Sequence, residues 1–241
     1  MGADDRHPGG FLAQSVHQSP TDATTAHHES RTLPGSKRRG TGSGQEQPGV
    51  LHVPHDGGGH GQWMSLTIAV FGLGAWGRTL QSLWERQGHR VLGWSRRSGG
   101  NPVELLAQVD LVAIALAMEG IDTLAVQLAP HWPKRLPLLS CSKGIDPDRL
   151  ATPCQLWRHH LPQAPLLALS GPNLAGELAQ GLPAASVIAS EDQALAKQLQ
   201  EQLSGDGLRL YRSSDLVGVE AAGALKNVMA LAAGICDGLG L

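Results

Sequence analysis

Several things are scarce in this chain, and each scarcity excludes something. Cysteine occurs three times in 241 residues, at Cys141, Cys154 and Cys236. The number is odd, the spacing is wide and no CxxC occurs, which fits reduced thiols in a cytosolic protein better than a disulfide framework. Net charge is −2, from 19 basic and 21 acidic residues, and neither sign forms a long block. A nucleic-acid or anionic-membrane footprint is therefore not expected. The longest apolar run covers residues 111–118, too short to span a bilayer, so no membrane span is expected. These absences describe a soluble, cytoplasmic protein.

The first 63 residues also lack aliphatic periodicity. They hold 12 of the 31 glycines and 7 of the 11 histidines, with Ser, Thr, Gln and Pro between them. Such a segment buries too little apolar surface to offset the entropy of ordering it, so residues 1–63 read as a disordered low-complexity leader. It has no apolar stretch of signal-peptide type, and its acidic residues argue against a transit peptide. His52, His55 and His60 lie among glycines that supply no rigid geometry, so no metal site is expected. Met64 directly precedes the first strand pattern and marks an alternative start.

From Met64 onward, strands alternate with helices. Residues 66–71, 90–94, 109–116, 136–141, 166–170, 184–189 and 208–211 read as strands. Leu80, Leu83 and Trp84 mark a helix after the first strand, and residues 191–203 form another. The pattern predicts an α/β fold with a doubly wound, mostly parallel, Rossmann-like sheet.

Between the first strand and its helix stands Gly72-Leu73-Gly74-Ala75-Trp76-Gly77. With 31 glycines, chance alone supplies a GxGxxG about half a time, so the string by itself decides little. Its place inside a β-α-β unit is what counts. There Gly72 permits the tight turn, Gly74 lets backbone approach a pyrophosphate, and Gly77 lets the helix pack close to the strand. The second strand ends in Ser95-Arg96-Arg97, where NAD-selective sites carry Asp or Glu. Two guanidinium groups suit a 2′-phosphate, which favours NADP(H), with NAD(H) as the second choice. A solvated arginine pair is the bland alternative.

The chain's last stretch is a helix pattern with unequal faces. Val217, Ala221, Ala224, Val228, Leu231 and Ile235 share one side. Ala222, Gly223, Lys226, Ala230, Ala233, Gly234 and Asp237 share the other. A solvated face normally mixes Glu, Lys, Gln and Arg. This one has a single lysine with Asn227 beside it, which points Lys226 into a confined space, where an ammonium can exchange a proton. An exposed lysine on an Ala-rich helix is the competing reading.

At this point four stretches carry a resemblance. They are the Gly72–Gly77 turn, Ser142-Lys143-Gly144-Ile145, Ser170-Gly171-Pro172-Asn173-Leu174-Ala175-Gly176-Glu177, and Gly223-Ala224-Leu225-Lys226-Asn227 continuing through Cys236-Asp237-Gly238-Leu239-Gly240. In order and spacing the chain resembles the bacterial-type NAD(P)-dependent glycerol-3-phosphate dehydrogenases from about residue 66 to its end. The resemblance implies reversible hydride transfer between NAD(P)H and dihydroxyacetone phosphate, giving sn-glycerol 3-phosphate for phospholipid synthesis. It implies that Lys226 is the catalytic lysine and that Asn227 holds substrate. Lys143 is implied near both nicotinamide and substrate, where its charge stabilises the developing alkoxide. Gly171 and Asn173 match substrate-contacting positions, and Ala75, Trp76 and Ala175 cofactor-contacting ones. Asn173 stands where many members have Ser or Thr.

The same resemblance implies residues 64–213 as the cofactor-binding domain and residues 214–241 as the first helix of an all-α substrate domain. Family members continue past Leu241 into more of that domain, including an arginine that grips the substrate phosphate. The expectation is thus a C-terminally truncated or frameshifted copy whose activity is in doubt, with a homodimer expected of a full-length form. Two readings stay open beside it. One is a related ketopantoate-reductase-like or hydroxyacid dehydrogenase, and the other is a non-catalytic NADP-binding fragment.

Overall fold

The computed structural model describes residues 65–205 and 207–240, all within one compact unit, Glu46–Leu241. The expectations for the leader, for Met64 and for His52, His55 and His60 lie outside the described residues.

Seven strands form one sheet: β1 (Thr67–Phe71), β2 (Arg90–Trp94), β3 (Leu111–Ile114), β4 (Leu138–Ser140), β5 (Leu166–Ser170), β6 (Ala184–Ser190) and β7 (Leu208–Ser213). Their spatial order is β2-β1-β3-β4-β5-β6-β7. Every neighbouring pair is parallel except β5 and β6, which run antiparallel with Leu167 opposite Ser190. The reversal follows from the connection. After β5 the chain forms only a five-residue helix before β6, and a parallel crossover usually needs a longer helix laid across the sheet.

The helices are α1 (Ala75–Arg86), α2 (Ile121–Leu128), α3 (Pro153–His160), α4 (Ala175–Ala179), α5 (Gln193–Leu203) and α6 (Leu216–Leu239). Strand side chains alternate between two cores. Ile68, Val70, Leu139, Leu167 and Leu169 pack under α1, α4 and α5 with Leu80, Leu83, Trp84, Leu178, Leu195 and Leu199. Ala69, Phe71, Val112, Ile114, Leu138, Leu166 and Ala168 pack on the other face with Leu124, Leu128, Leu156 and Trp157 of α2 and α3. Each fully buried leucine stabilises the sheet by roughly 1.5–3 kcal/mol. The near-continuous apolar strands are what a sheet covered on both faces requires.

Helix α6 leaves this sandwich. Leu216 and Val219 pack against the α2–α3 side of the core, Glu220 is buried, and Gly223 and Lys226 are half-buried. Beyond Lys226 every described residue is exposed, including Val228, Leu231 and Ile235 at 60 to 70 %. By length and composition α6 is apolar enough to cross a bilayer, which a search for unbroken apolar runs does not find. Glu220 and Lys226 nevertheless bind its first half to α3 and to the loop after β5.

Candidate active site

Strands β1, β3, β4 and β5 are parallel, so the loops that leave them gather along one edge. The chain steps from β1 outward to β2 and then back to β3, which opens a crevice at the β1 and β3 ends, the usual ligand position in such sheets. A cavity of about 300 Å³ lies there, lined by Gly74, Ala75, Trp76, Ala115, Leu116, Ala117, Cys141, Ser142, Lys143, Asn173 and Ala175.

The three motif glycines differ in what they meet. Gly72 has φ +102°, and a Cβ there would strike the Ala115 carbonyl. A Cβ on Gly77 would strike the Gly72 carbonyl. Both positions are closed by the protein itself. Around Gly74 nothing lies within 4 Å of where a Cβ would stand, so its backbone faces open space. Gly74 is also the N-cap of α1 and supplies no capping side chain, and the first turn of α1 holds no acidic residue. Helices α5 and α6, in contrast, are capped by Asp192 and Asp215. The first-turn N–H groups and positive end of α1 are therefore free for an anion outside the chain. These features fit a pyrophosphate. Arg96 and Arg97 are exposed in the Ser95–Ser98 turn that ends β2.

Lys143 follows β4. Its Nζ donates to the Gly171 carbonyl at 3.2 Å and lies 5.3 Å from the centre of the Trp76 ring. Burial, and then the charge of Lys226, hold its pKa below the ordinary lysine value. Lys226 donates through Nζ to the Asn173 carbonyl at 3.1 Å. The Asn173 side chain donates to Ser186 Oγ of β6, which fixes the loop between the two lysines. Among the described residues neither ammonium is paired with a carboxylate, so the cleft carries surplus positive charge. A second cavity of about 370 Å³, lined by Ser170, Gly171, Pro172, Val187, Val219, Ala222, Gly223 and Lys226, lies between β5 and α6. Gly223 makes that approach close, because a Cβ there would strike Ser170 Oγ.

Lys143, Gly171, Asn173, Ala175 and Lys226 are thus brought together with Gly74, Ala75 and Trp76. Asn227 is exposed and lines neither cavity, because one residue turns a helix by 100° and carries it off the face that Lys226 occupies. Sequence reading missed Glu220, a buried acid at the α3–α6 contact. Its signal is its spacing, three residues before Gly223 and six before Lys226.

Sheet order, glycine turn and uncapped helix place the chain in the broad class of Rossmann-fold proteins. Comparison with known proteins gives the particular family. The family model described as "NAD-dependent glycerol-3-phosphate dehydrogenase N-terminus" matches residues 100–196, and its C-terminus counterpart matches residues 215–241. A relative from Synechococcus sp. (strain RCC307), named glycerol-3-phosphate dehydrogenase (NAD(P)+), is 52% identical over 178 residues, 74% of this chain and 58% of the relative. A relative of the same name from Acaryochloris marina is 42% identical over 180 residues, with the same two shares. The crystal structure of glycerol-3-phosphate dehydrogenase from Coxiella burnetii superposes with a TM-score of 0.66 at 27% identity, covering 73% of this chain and 62% of that one. The chain belongs to the glycerol-3-phosphate dehydrogenase family. It spans a little under three fifths of the length of these curated relatives.

Proposed function

We propose that this protein reduces dihydroxyacetone phosphate reversibly to sn-glycerol 3-phosphate with NADPH or NADH, in the service of glycerophospholipid synthesis. The observation that carries this reading is the convergence of Lys143 and Lys226 on residues 171–173, beside the crevice at the strand ends. Residues 64–213 then form the cofactor-binding domain, and residues 214–241 open the helical substrate domain. A cytoplasmic location and assembly as a homodimer go with the same reading.

The chain's own residues divide the work. Gly74, Ala75 and the free end of α1 hold the pyrophosphate, and Arg96 and Arg97 meet a 2′-phosphate. Trp76 and Ala175 line the space between that turn and the lysines. A bound nicotinamide cofactor supplies the hydride. Lys143, half-buried and cationic, stabilises negative charge on the substrate oxygen, and burial strengthens that attraction. Lys226 Nζ gives its proton to that oxygen as the alcohol forms, and takes it back in oxidation. Gly171 and Asn173 orient the two ammonium groups through their carbonyls. In this reading Asn227 holds substrate only once a ligand or further chain reaches its side of α6.

The test is NADPH oxidation dependent on dihydroxyacetone phosphate, in the longest natural form of the chain. Lys226→Ala should lower kcat at least ~10²-fold, the scale of a lost proton-transfer group, and leave NADPH affinity unchanged. A near-normal kcat in that variant overturns the assignment.

A further inference from the structure

Glu220 is 4 % exposed, a buried acid in a helix built mostly from small and apolar residues. Its Oε1 accepts the backbone N–H of Cys154 at 2.9 Å, across 66 residues of sequence. Cys154 is the second residue of α3, where N–H groups have no partner inside the helix. Pro153 before it has no N–H, and the Thr152 N–H is taken by Gln155 Oε1. Glu220 therefore reaches from α6 to serve an open donor at the start of α3, where the helix end also favours negative charge. The other carboxylate oxygen is buried without a well-formed hydrogen bond among the described residues, and the Thr152 side chain lies close to the carboxylate.

One turn further along α6, Gly223 lies against Ser170 at the end of β5, where a Cβ would strike the Ser170 hydroxyl. One turn beyond that, Lys226 donates to Asn173. Glu220, Gly223 and Lys226 lie on the side of α6 turned to the sheet, and the described helix is exposed after Lys226. The rotation and depth of α6, and with them the position of the Lys226 ammonium, are set by contacts upstream of it. Gly223 fixes only how near the helix comes. A carboxylate bonded to another helix also fixes how it turns.

We propose that Glu220 is a positioning residue for Lys226, acting by clamping α6 to the first turn of α3. The function assigned to the positioned lysine rests on the reading above, but the clamp itself does not, and the experiment separates them. The position of Lys226 is read without turnover, from the rate at which an amine-acylating reagent modifies each lysine of the free protein, followed by peptide mass spectrometry. In the wild type Lys226 should react slowly. Glu220→Ala should raise its rate several-fold, with Lys143 and Lys197 unchanged. Glu220→Gln keeps the acceptor for the Cys154 N–H and should restore the slow rate. If Glu220→Ala does not fold, Glu220→Asp, one methylene shorter, should show the same selective rise. Wild-type reactivity in the Ala or Asp variant overturns the proposal. So does an equal rise at all three lysines, which would make Glu220 a general stabiliser. In turnover, the Ala or Asp variant should lose kcat about tenfold with NADPH affinity kept. A selective labelling change without a kcat change supports the clamp and counts against Lys226 as proton donor.

Discussion

Lys143 rests over the face of Trp76, with its Nζ 5.3 Å from the ring centre. The ring belongs to the first turn of the helix that follows the glycine motif, and the lysine to the loop after β4. Trp76 therefore seats one of the two cations at the cleft, beyond lining the crevice. Such a contact contributes about 0.5–2 kcal/mol, more when desolvated, and it favours the charged lysine. Burial and the nearby Lys226 act in the opposite direction.

Trp76→Leu should therefore lower the Lys143 pKa further. Anion binding at the cleft needs the ammonium, so affinity falls as pH rises through that pKa. In the variant the fall should begin at lower pH, and Trp76→Phe should restore much of the wild-type profile. Acylation of Lys143 against pH, read peptide by peptide, measures this directly. An unchanged profile in Trp76→Leu refutes the seat.

The strands were largely legible because the sheet is covered on both faces. Apolar runs such as 66–71 and 166–170, short and followed by Gly, read as strands buried on both faces. The antiparallel turn of β6 was not legible, because a buried strand reads the same in either direction. Helix α3 was missed because Arg158, His159 and His160 dilute its buried face of Cys154, Leu156 and Trp157. Its Thr152-Pro153 start, with Gln155 bonding back to the Thr152 N–H, was the available signal. In the site, Lys143 and Lys226 meet at one loop because their motifs end parallel strands or face β5. Asn227 does not join them, since adjacency in sequence is not adjacency on a helix. Glu220 escaped notice because a lone acid on a helix reads as solvated until the partner helix is seen.

Glu220 also gives stability a pH dependence. Burial raises its pKa above the ordinary glutamate value, although the Thr152 and Cys154 groups pull the other way. Between the unfolded and the raised folded pKa, the folded state holds more protons, so stability falls as pH rises through that window. Glu220→Gln has no such titration. Urea unfolding should find the variant at least as stable as the wild type at neutral pH, with the difference shrinking as pH is lowered to the ordinary glutamate range. A difference that grows on acidification contradicts the assignment.

Arg96 and Arg97 stand exposed at the end of β2, where a cofactor's adenosine ribose would lie. If they hold a 2′-phosphate, replacing both by Ala should weaken NADPH binding at least tenfold, the scale of a lost charge-assisted pair, and leave NADH nearly unaffected. Tryptophan-fluorescence titrations with both cofactors measure this. Equal affinities in the wild type, or a preference that survives the double substitution, remove the arginines from the site.

The far half of α6 makes the last prediction. Leu225, Val228, Met229, Leu231, Ile235 and Leu239 are each more than half exposed and recur over four turns of one helix. A patch of this kind drives association unless something covers it. The 241-residue polypeptide should therefore self-associate at micromolar concentration. Val228, Leu231 and Ile235 form one stripe, since steps of three and four residues return to the same side of a helix. Replacing these three by Gln should shift sedimentation toward the monomer. It should leave the thermal unfolding of the sheet within about 1 kcal/mol, as exposed positions cost little to change. Lys226 faces the sheet side instead, so its slow acylation should survive the triple change. A wild-type chain that stays monomeric at high concentration would mean that this face is covered from within.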